Sequence, residues 1–216
     1  MATRTLLGDL GLSFREYAMR EPLPLSVVQD AVFDFLAGRD DAVVYGSQAV
    51  NAYVRERRAT EDVDVAASHG VAFAQELRAY LSDRFHIAVR VRDVHEGLGY
   101  RLYQVRKEGN RHLVDVRPVT ELPPARRIEE VLVVAPIELV AGKVMAYANR
   151  QGKPKAFTDR RDLAHLLLTF PELKSEEGPV KQCLLAEGAG EGVLAAWSEI
   201  ARQQIVAGDD DDEFLR

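Results

Sequence analysis

Residues 43–65, VVYGSQAVNAYVRERRATEDVDV, decide how the rest of the chain is read. The stretch opens in a short apolar run, Ala42-Val43-Val44-Tyr45, with the length and β-branching of a buried strand. Gly46-Ser47 breaks that run, and Gln48 to Glu56 is compatible with a helix. A polar turn, Arg57 to Glu61, leads into Asp62-Val63-Asp64-Val65, an alternating strand. Side chains alternate along a strand, so Asp62 and Asp64 share one face while Val63 and Val65 share the other. At ~3.3 Å per residue their Cα atoms lie about 6.6 Å apart. Both carboxylates therefore reach one or two divalent ions, which sit ~3.5–4 Å apart in two-metal sites. Gly46, lacking a Cβ, lets the backbone turn sharply and approach a ligand. Ser47 falls at the start of the helix, where free N–H groups and the helix dipole favour an anion such as a phosphate. A phosphate cradle opposite a carboxylate pair is the equipment of a nucleoside triphosphate site.

Working outward, Ser26 is a candidate cap for a helix carrying Val28, Val32, Phe33, Phe35 and Leu36, ended by Gly38. A weaker pattern through Phe14 and Tyr17 predicts a short helix before it. Downstream, Phe73, Leu77, Tyr80 and Leu81 fall at helical spacing over residues 71–83. Runs at Ile87–Val91, Tyr100–Val105, His112–Val116 and Val131–Val134 read as strands, with Gly109-Asn110 as a hairpin turn. Val114-Asp115-Val116 repeats the logic of the aspartate pair: its valines are buried and its carboxylate faces the other way. By itself Asp115 reads as an edge-strand aspartate turned to solvent; beside Asp62 and Asp64 it becomes a third metal ligand or a general base.

Past Ala135 the strand signals stop. Pro136 fits the first turn of a helix with Ile137, Val140, Val144 and Tyr147 on its apolar face. Gly152-Lys153-Pro154 reads as a loop and Thr158 as the cap of a second helix, followed by two further helical segments. Lys143 and Arg150, seven apart, share a helix face with Tyr147 between them. That edge suits a triphosphate or a base, and equally suits a solvated Lys and Arg beside a core tyrosine. Asp159 and Asp162 either anchor these cations or cap the first turn of their helix. The expected architecture is α+β, a mixed β-sheet flanked by helices. Residues 1–135 form the sheet domain, 136–208 a helical C-terminal domain and 209–216 an acidic tail.

Composition narrows the setting. An apolar content of 47% over 216 residues supports a real core, and the single Cys183 precludes an internal disulfide, as expected in a reducing cytoplasm. No signal peptide is expected at Met1–Asp9, and no run approaches ~18 apolar residues. The net charge of −6 includes five acidic residues at Asp209–Glu213, so −6 less −5 leaves about −1 for the remainder. A nearly neutral body neither demands nor excludes nucleic acid. The five histidines form no H-x-x-x-H or His/Cys cluster, which argues against zinc.

Gly46-Ser47, Asp62-x-Asp64 and the later Asp115 together resemble the DNA polymerase β-like nucleotidyltransferase superfamily. Arg58-Ala59-Thr60-Glu61-Asp62-Val63-Asp64 is similar to the Arg-x-Thr-x-Asp-φ-Asp form of its bacterial abortive-infection, AbiEii-like branch. Lys143, Arg150, Asp159 and Asp162 resemble that branch's downstream signature. The resemblance implies transfer of a nucleoside monophosphate from a nucleoside triphosphate to a hydroxyl acceptor. It implies Asp62, Asp64 and Asp115 as ligands of two Mg²⁺ ions, with Mn²⁺ as the alternative. Gly46, Ser47, Arg58, Thr60, Lys143, Arg150, Asp159 and Asp162 are then the triphosphate-binding set, with Lys143 also supporting catalysis. The implied acceptor is RNA, such as a tRNA end, or protein, as in toxin–antitoxin toxins, with a cognate antitoxin as partner. Open alternatives are a small hydroxylated acceptor such as an aminoglycoside, a nucleotide-binding protein without turnover, and structural aspartates in a plain α+β domain. Arg55, Arg57 and Arg58 beside the site favour a macromolecule, though arginines are also ordinary surface residues.

Overall fold

The structure is a computed structural model that describes residues 23–94 and 96–207. The expected helix through Phe14 and Tyr17 and the acidic tail lie outside the described residues. The chain divides after Ala135 into two compact units.

The first unit is built on a seven-stranded mixed sheet: β1 (Ala42–Tyr45), β2 (Val63–Ala67), β3 (Val89–Val94), β4 (Gly99–Gln104), β5 (Arg111–Pro118), β6 (Ala125–Ile128) and β7 (Val131–Val134). Their order across the sheet is β3-β4-β5-β2-β1-β7-β6. β2 runs parallel to β5 and β1 parallel to β7, while the other neighbours are antiparallel. Three helices accompany it: α1 (Leu25–Leu36), α2 (Gly46–Tyr53) and α3 (Gly70–Phe85). α1 packs on α3, α3 covers β3–β5, and α2 lies against β1, β2 and β7. Val43, Val44, Val63, Val65, Val114, Val116 and Val133 are all buried with Phe33, Phe73, Leu77 and Leu81, so the apolar halves of the alternating strands form the core.

Several element boundaries differ from expectation for physical reasons. Ser26 is not a cap, because α1 starts at Leu25 behind Pro24, whose fixed φ sets the entry. β6 was not anticipated: its Ala-Arg-Arg-Ile sequence carries no apolar alternation. It exists because Glu129 and Glu130 both adopt positive φ, 45° and 69°, and close a two-residue hairpin onto β7. Arg127 Nη1 and Gly38 N each donate to Glu130 O, at 2.9 Å in both cases, and hold that turn.

The second unit is helical: α4 (Pro136–Asn149), α5 (Pro154–Thr169), a 3-10 turn at Pro171–Leu173, α6 (Pro179–Ala186) and α7 (Glu191–Arg202). α4 packs against α5, α6 and α7. Trp197 is fully buried at its centre and its indole Nε1 donates to Glu176 O at 3.1 Å. Pro154 opens α5 rather than ending a loop, since a proline at the first helical position sacrifices only an N–H that has no intrahelical partner. Thr158 and Asp159 therefore lie inside the helix and cap nothing. No helix among the described residues is long and apolar enough to cross a membrane.

Candidate active site

β1 delivers Tyr45 beside Asp64 of β2, and β2 delivers Asp64 beside Asp115 of β5. Asp115 is thus in the sheet interior, between β4 and β2, not on an edge. Asp62 sits one residue ahead of β2, and Asp62, Asp64 and Asp115 are all partly accessible amid buried valines.

Gly46 is where the backbone must be glycine. Its φ is +68°, and a Cβ built there would lie 2.0 Å from Asp64 Oδ2. α2 starts at this residue, and its N-cap residue Tyr45 makes no side-chain capping hydrogen bond. The Asp64 carboxylate thus rests against the mouth of a helix, where the dipole favours negative charge. Ser47 Oγ accepts a hydrogen bond from Arg58 Nη2 at 2.5 Å, so the arginine of the polar turn is drawn back onto the Gly-Ser corner.

That turn is held by amides the sequence reading passed over. Asn51, 2% exposed, grips Arg58 by both backbone groups: its Nδ2 donates to Arg58 O at 2.9 Å and its Oδ1 accepts from Arg58 N at 3.1 Å. The Thr60 hydroxyl accepts from Gln48 Nε2 at 2.6 Å, and Gln29 Nε2 donates to Thr60 O at 3.0 Å. Thr60 is buried, so its side chain shapes the approach to Asp62. Asn51→Ala strands both backbone groups of Arg58 and is expected to cost about 2 kcal/mol. Urea unfolding measures it as a lower midpoint at unchanged slope.

The structure gathers Asp62 and Asp115 around a residue not foreseen, His112. One ligand atom from each lies within 4.8 Å of the others. His112 Nδ1 is 3.2 Å from Asp62 Oδ2 and Nε2 is 3.2 Å from Asp115 Oδ1. The second contact is an ion-pair distance without hydrogen-bond alignment, for Nε2 is buried without a hydrogen-bond partner. Burial alone would lower the His112 pKa, but Asp115 and then Asp62 raise it to about 10. Arg101 Nε donates to Asp115 Oδ1 at 2.8 Å from the neighbouring strand. Burial pushes the Asp115 carboxyl up, and His112 and Arg101 more than reverse this, leaving it below the usual range. Burial and then the charge of Asp64 raise the Tyr45 phenol, which stays protonated. The carboxylates of Asp62, Asp64 and Asp115 are interleaved with the cations of Arg101 and Arg117 around Tyr45 and His112. Two aspartates and an imidazole, whose ring would give up a proton on ligation, form a donor set that fits a divalent ion. A cavity of about 200 Å³ adjoins this cluster, lined among others by Tyr45, Tyr100, Arg101, Asp115 and Arg117.

In the helical unit, Lys143, Asp159 and Asp162 are 7%, 3% and 0% exposed, which makes them a buried charge network. Lys143 Nζ lies 2.8 Å from Asp162 Oδ2 and 3.5 Å from Asp159 Oδ1. Arg150 Nη1 lies 2.9 Å from Asp159 Oδ2, and Arg150 keeps a partly exposed side chain. Tyr147 leaves this group: its hydroxyl accepts from Arg160 Nη1 at 2.8 Å. The anticipated Lys-Tyr-Arg edge therefore separates into a buried ion network and an aromatic–arginine pair.

No curated protein sequence matches the chain. Among solved structures, the Megavirus polyadenylate synthase is similar over 73% of this chain and 34% of its own, with 17% identity and a TM-score of 0.58. The chain thus spans about a third of that enzyme's length. JHP933 from Helicobacter pylori is similar over 89% of this chain and 92% of its own, with 11% identity and a TM-score of 0.51. A putative nucleotidyltransferase from H. pylori matches over 88% and 95%, again with 11% identity and a TM-score of 0.51. These likenesses show a shared nucleotidyltransferase-like fold. The family described as nucleotidyl transferase AbiEii toxin, type IV toxin–antitoxin system, matches residues 30–210, and by a match of that extent the chain belongs to this nucleotidyltransferase family.

Proposed function

We propose that the chain transfers a nucleoside monophosphate from a nucleoside triphosphate to a hydroxyl of RNA, as a toxin countered by a cognate antitoxin in the cytoplasm. The observation that carries this reading is the row formed by Gly46, Asp64 and Asp115, at the mouth of a helix and within a nucleotidyltransferase family. On this reading residues 1–135 are the catalytic domain, 136–208 a helical domain and 209–216 an acidic tail.

Asp62, Asp64 and Asp115 would hold Mg²⁺ or Mn²⁺, which when bound supplies charge stabilisation to the attacking and leaving oxygens. The first N–H groups of α2 and the Ser47 hydroxyl bind the terminal phosphates. Arg58, hydrogen-bonded to Ser47, adds a positive charge to that anchor. Asp115 accepts the proton of the acceptor hydroxyl. The freed oxygen forms a bond to the α-phosphorus as the bond to the bridging oxygen breaks, and pyrophosphate departs. Lys143, Arg150, Asp159 and Asp162 are assigned to nucleotide binding by the family resemblance, with Thr60 supporting the turn.

The test is label transfer. Chain and Asp64→Ala variant are incubated with Mg²⁺ and each α-labelled nucleoside triphosphate, with total RNA, a protein extract and aminoglycosides as acceptors. Label on RNA is expected, reduced at least about a thousandfold by the substitution if the carboxylate contributes several kcal/mol. Label on an aminoglycoside alone would replace RNA by the small-molecule reading, and undiminished transfer by Asp64→Ala would remove the assigned site.

A further inference from the structure

The helical unit carries an aromatic and basic surface of which the transfer chemistry uses only Arg150, at its margin. Between the end of α4 and the start of α5 lies an open concavity of about 310 Å³, lined by Tyr147, Gln151, Gly152, Ala156, Phe157 and Arg160. Phe157 is 75% exposed, a large ring held out on the first turns of a helix. Arg160 is fixed there from three sides: over the Tyr147 ring at 5.7 Å, on the Tyr147 hydroxyl, and by donating Nη2 to Gln203 Oε1 at 2.8 Å. Lys153 and Lys155, both exposed, lie just before Phe157, and Arg150 and Arg161 flank the stretch. Residues 150–161 thus hold five cations and one carboxylate, Asp159, which is buried. Asp162, next in sequence, is buried as well, and the accessible carboxylate near Arg160 is Glu199 at 3.7 Å. In a chain of net charge −6 this is a local reversal of sign.

We infer that the Tyr147–Phe157–Arg160 cradle, with Lys153 and Lys155, is a docking surface for single-stranded RNA. Unpaired bases stack on exposed aromatic rings and arginine planes, and spaced lysines meet successive phosphates. The openness of the cradle favours a passing strand over a lone nucleotide, which an enclosed pocket would hold by burying Phe157. Charge complementarity selects a polyanion. The inference rests on the reading of RNA as acceptor and adds a place where this acceptor is gripped.

The experiment is fluorescence anisotropy of a labelled single-stranded RNA oligonucleotide titrated with the full chain, with Phe157→Ala and with Lys153→Ala/Lys155→Ala. These side chains are exposed, so the folds should hold, and circular dichroism checks this. Phe157→Ala is expected to weaken binding about tenfold or more by loss of stacking. Each neutralised phosphate contributes about 0.7 to the slope of log K against log salt, so the double-lysine variant should lose about 1.4. Unchanged affinity in Phe157→Ala overturns the inference, as does a wild type that binds no RNA. Loss of mononucleotide binding in Phe157→Ala, with RNA affinity intact, overturns it in favour of a nucleotide subsite. Asp64→Ala should keep the RNA affinity while losing transfer, so failure of the docking surface and failure of the catalytic reading give different results.

Discussion

Gly46→Ala is expected to lower nucleotidyl transfer by on the order of a hundredfold, the usual result of misplacing a catalytic group by about 1 Å. The methyl group would lie 2.0 Å from Asp64 Oδ2 and 2.8 Å from Asp64 Cγ, so the carboxylate or the helix start must move. The φ of +68° adds roughly 1–2 kcal/mol of backbone strain for a residue with a Cβ. Gly142 provides the control. It lies inside α4 with nothing within 4 Å of its built Cβ, so Gly142→Ala should stabilise by about 0.4–1 kcal/mol. Thermal unfolding and label transfer on both variants separate the effects: Gly46→Ala should lose far more activity than its stability loss explains. A Gly46→Ala enzyme with normal turnover would show that the Asp64–Gly46 approach is irrelevant to chemistry.

Lys143→Met is expected to destabilise the chain by about 3–5 kcal/mol, because it leaves Asp162 buried and short of its nearest cation. Arg150 remains on Asp159, and Arg161 Nη1, 3.8 Å from Asp162 Oδ1, is too distant to replace a 2.8 Å contact. Replacing both partners, Lys143→Met with Asp162→Leu, should recover much of that loss, since two apolar groups of similar volume leave no orphaned charge. Urea unfolding of the two singles and the double forms a cycle whose interaction energy reports the pair. Additive losses would mean that the ion pair contributes packing volume alone.

The legible parts of this chain were those where one strand reports on itself. Alternation in Val63-Asp64-Val65 and Val114-Asp115-Val116 separates buried valines from accessible carboxylates without knowledge of any partner; Asp64 pairs with Asp115 across the sheet, while the ligand atoms that gather within 4.8 Å belong to Asp62, Asp115 and His112. His112 shows where that logic stops. In a regular strand, residues three apart face opposite sides, so His112 should turn away from Asp115. Pairing with β4 shifts register between Leu102↔Val114 and Tyr103↔His112, which leaves Leu113 unpaired, and the extra residue returns His112 to the aspartate face. The consecutive burial of Leu113 and Val114 is the trace of that bulge. Arg101 was hidden for a related reason, since only the register of β4 on β5 sets it opposite Asp115. Asn51, Gln48 and Gln29 look like ordinary polar residues until the turn they satisfy is folded over them.

Tyr45 faces Asp64 across one ladder and Asp64 faces Asp115 across the next. The step between adjacent strands is about 4.8 Å, set by peptide hydrogen bonds that any sequence forms. The gauge of the carboxylate row is therefore a property of the backbone lattice, indifferent to what the chain does between its rungs. The segment from Asp64 to Asp115 can gain or shed residues in α3 and the β3–β4 hairpin while the rungs keep their separation. Such a frame tolerates change in the connections around it, and structures at 17% and 11% identity remain similar in fold.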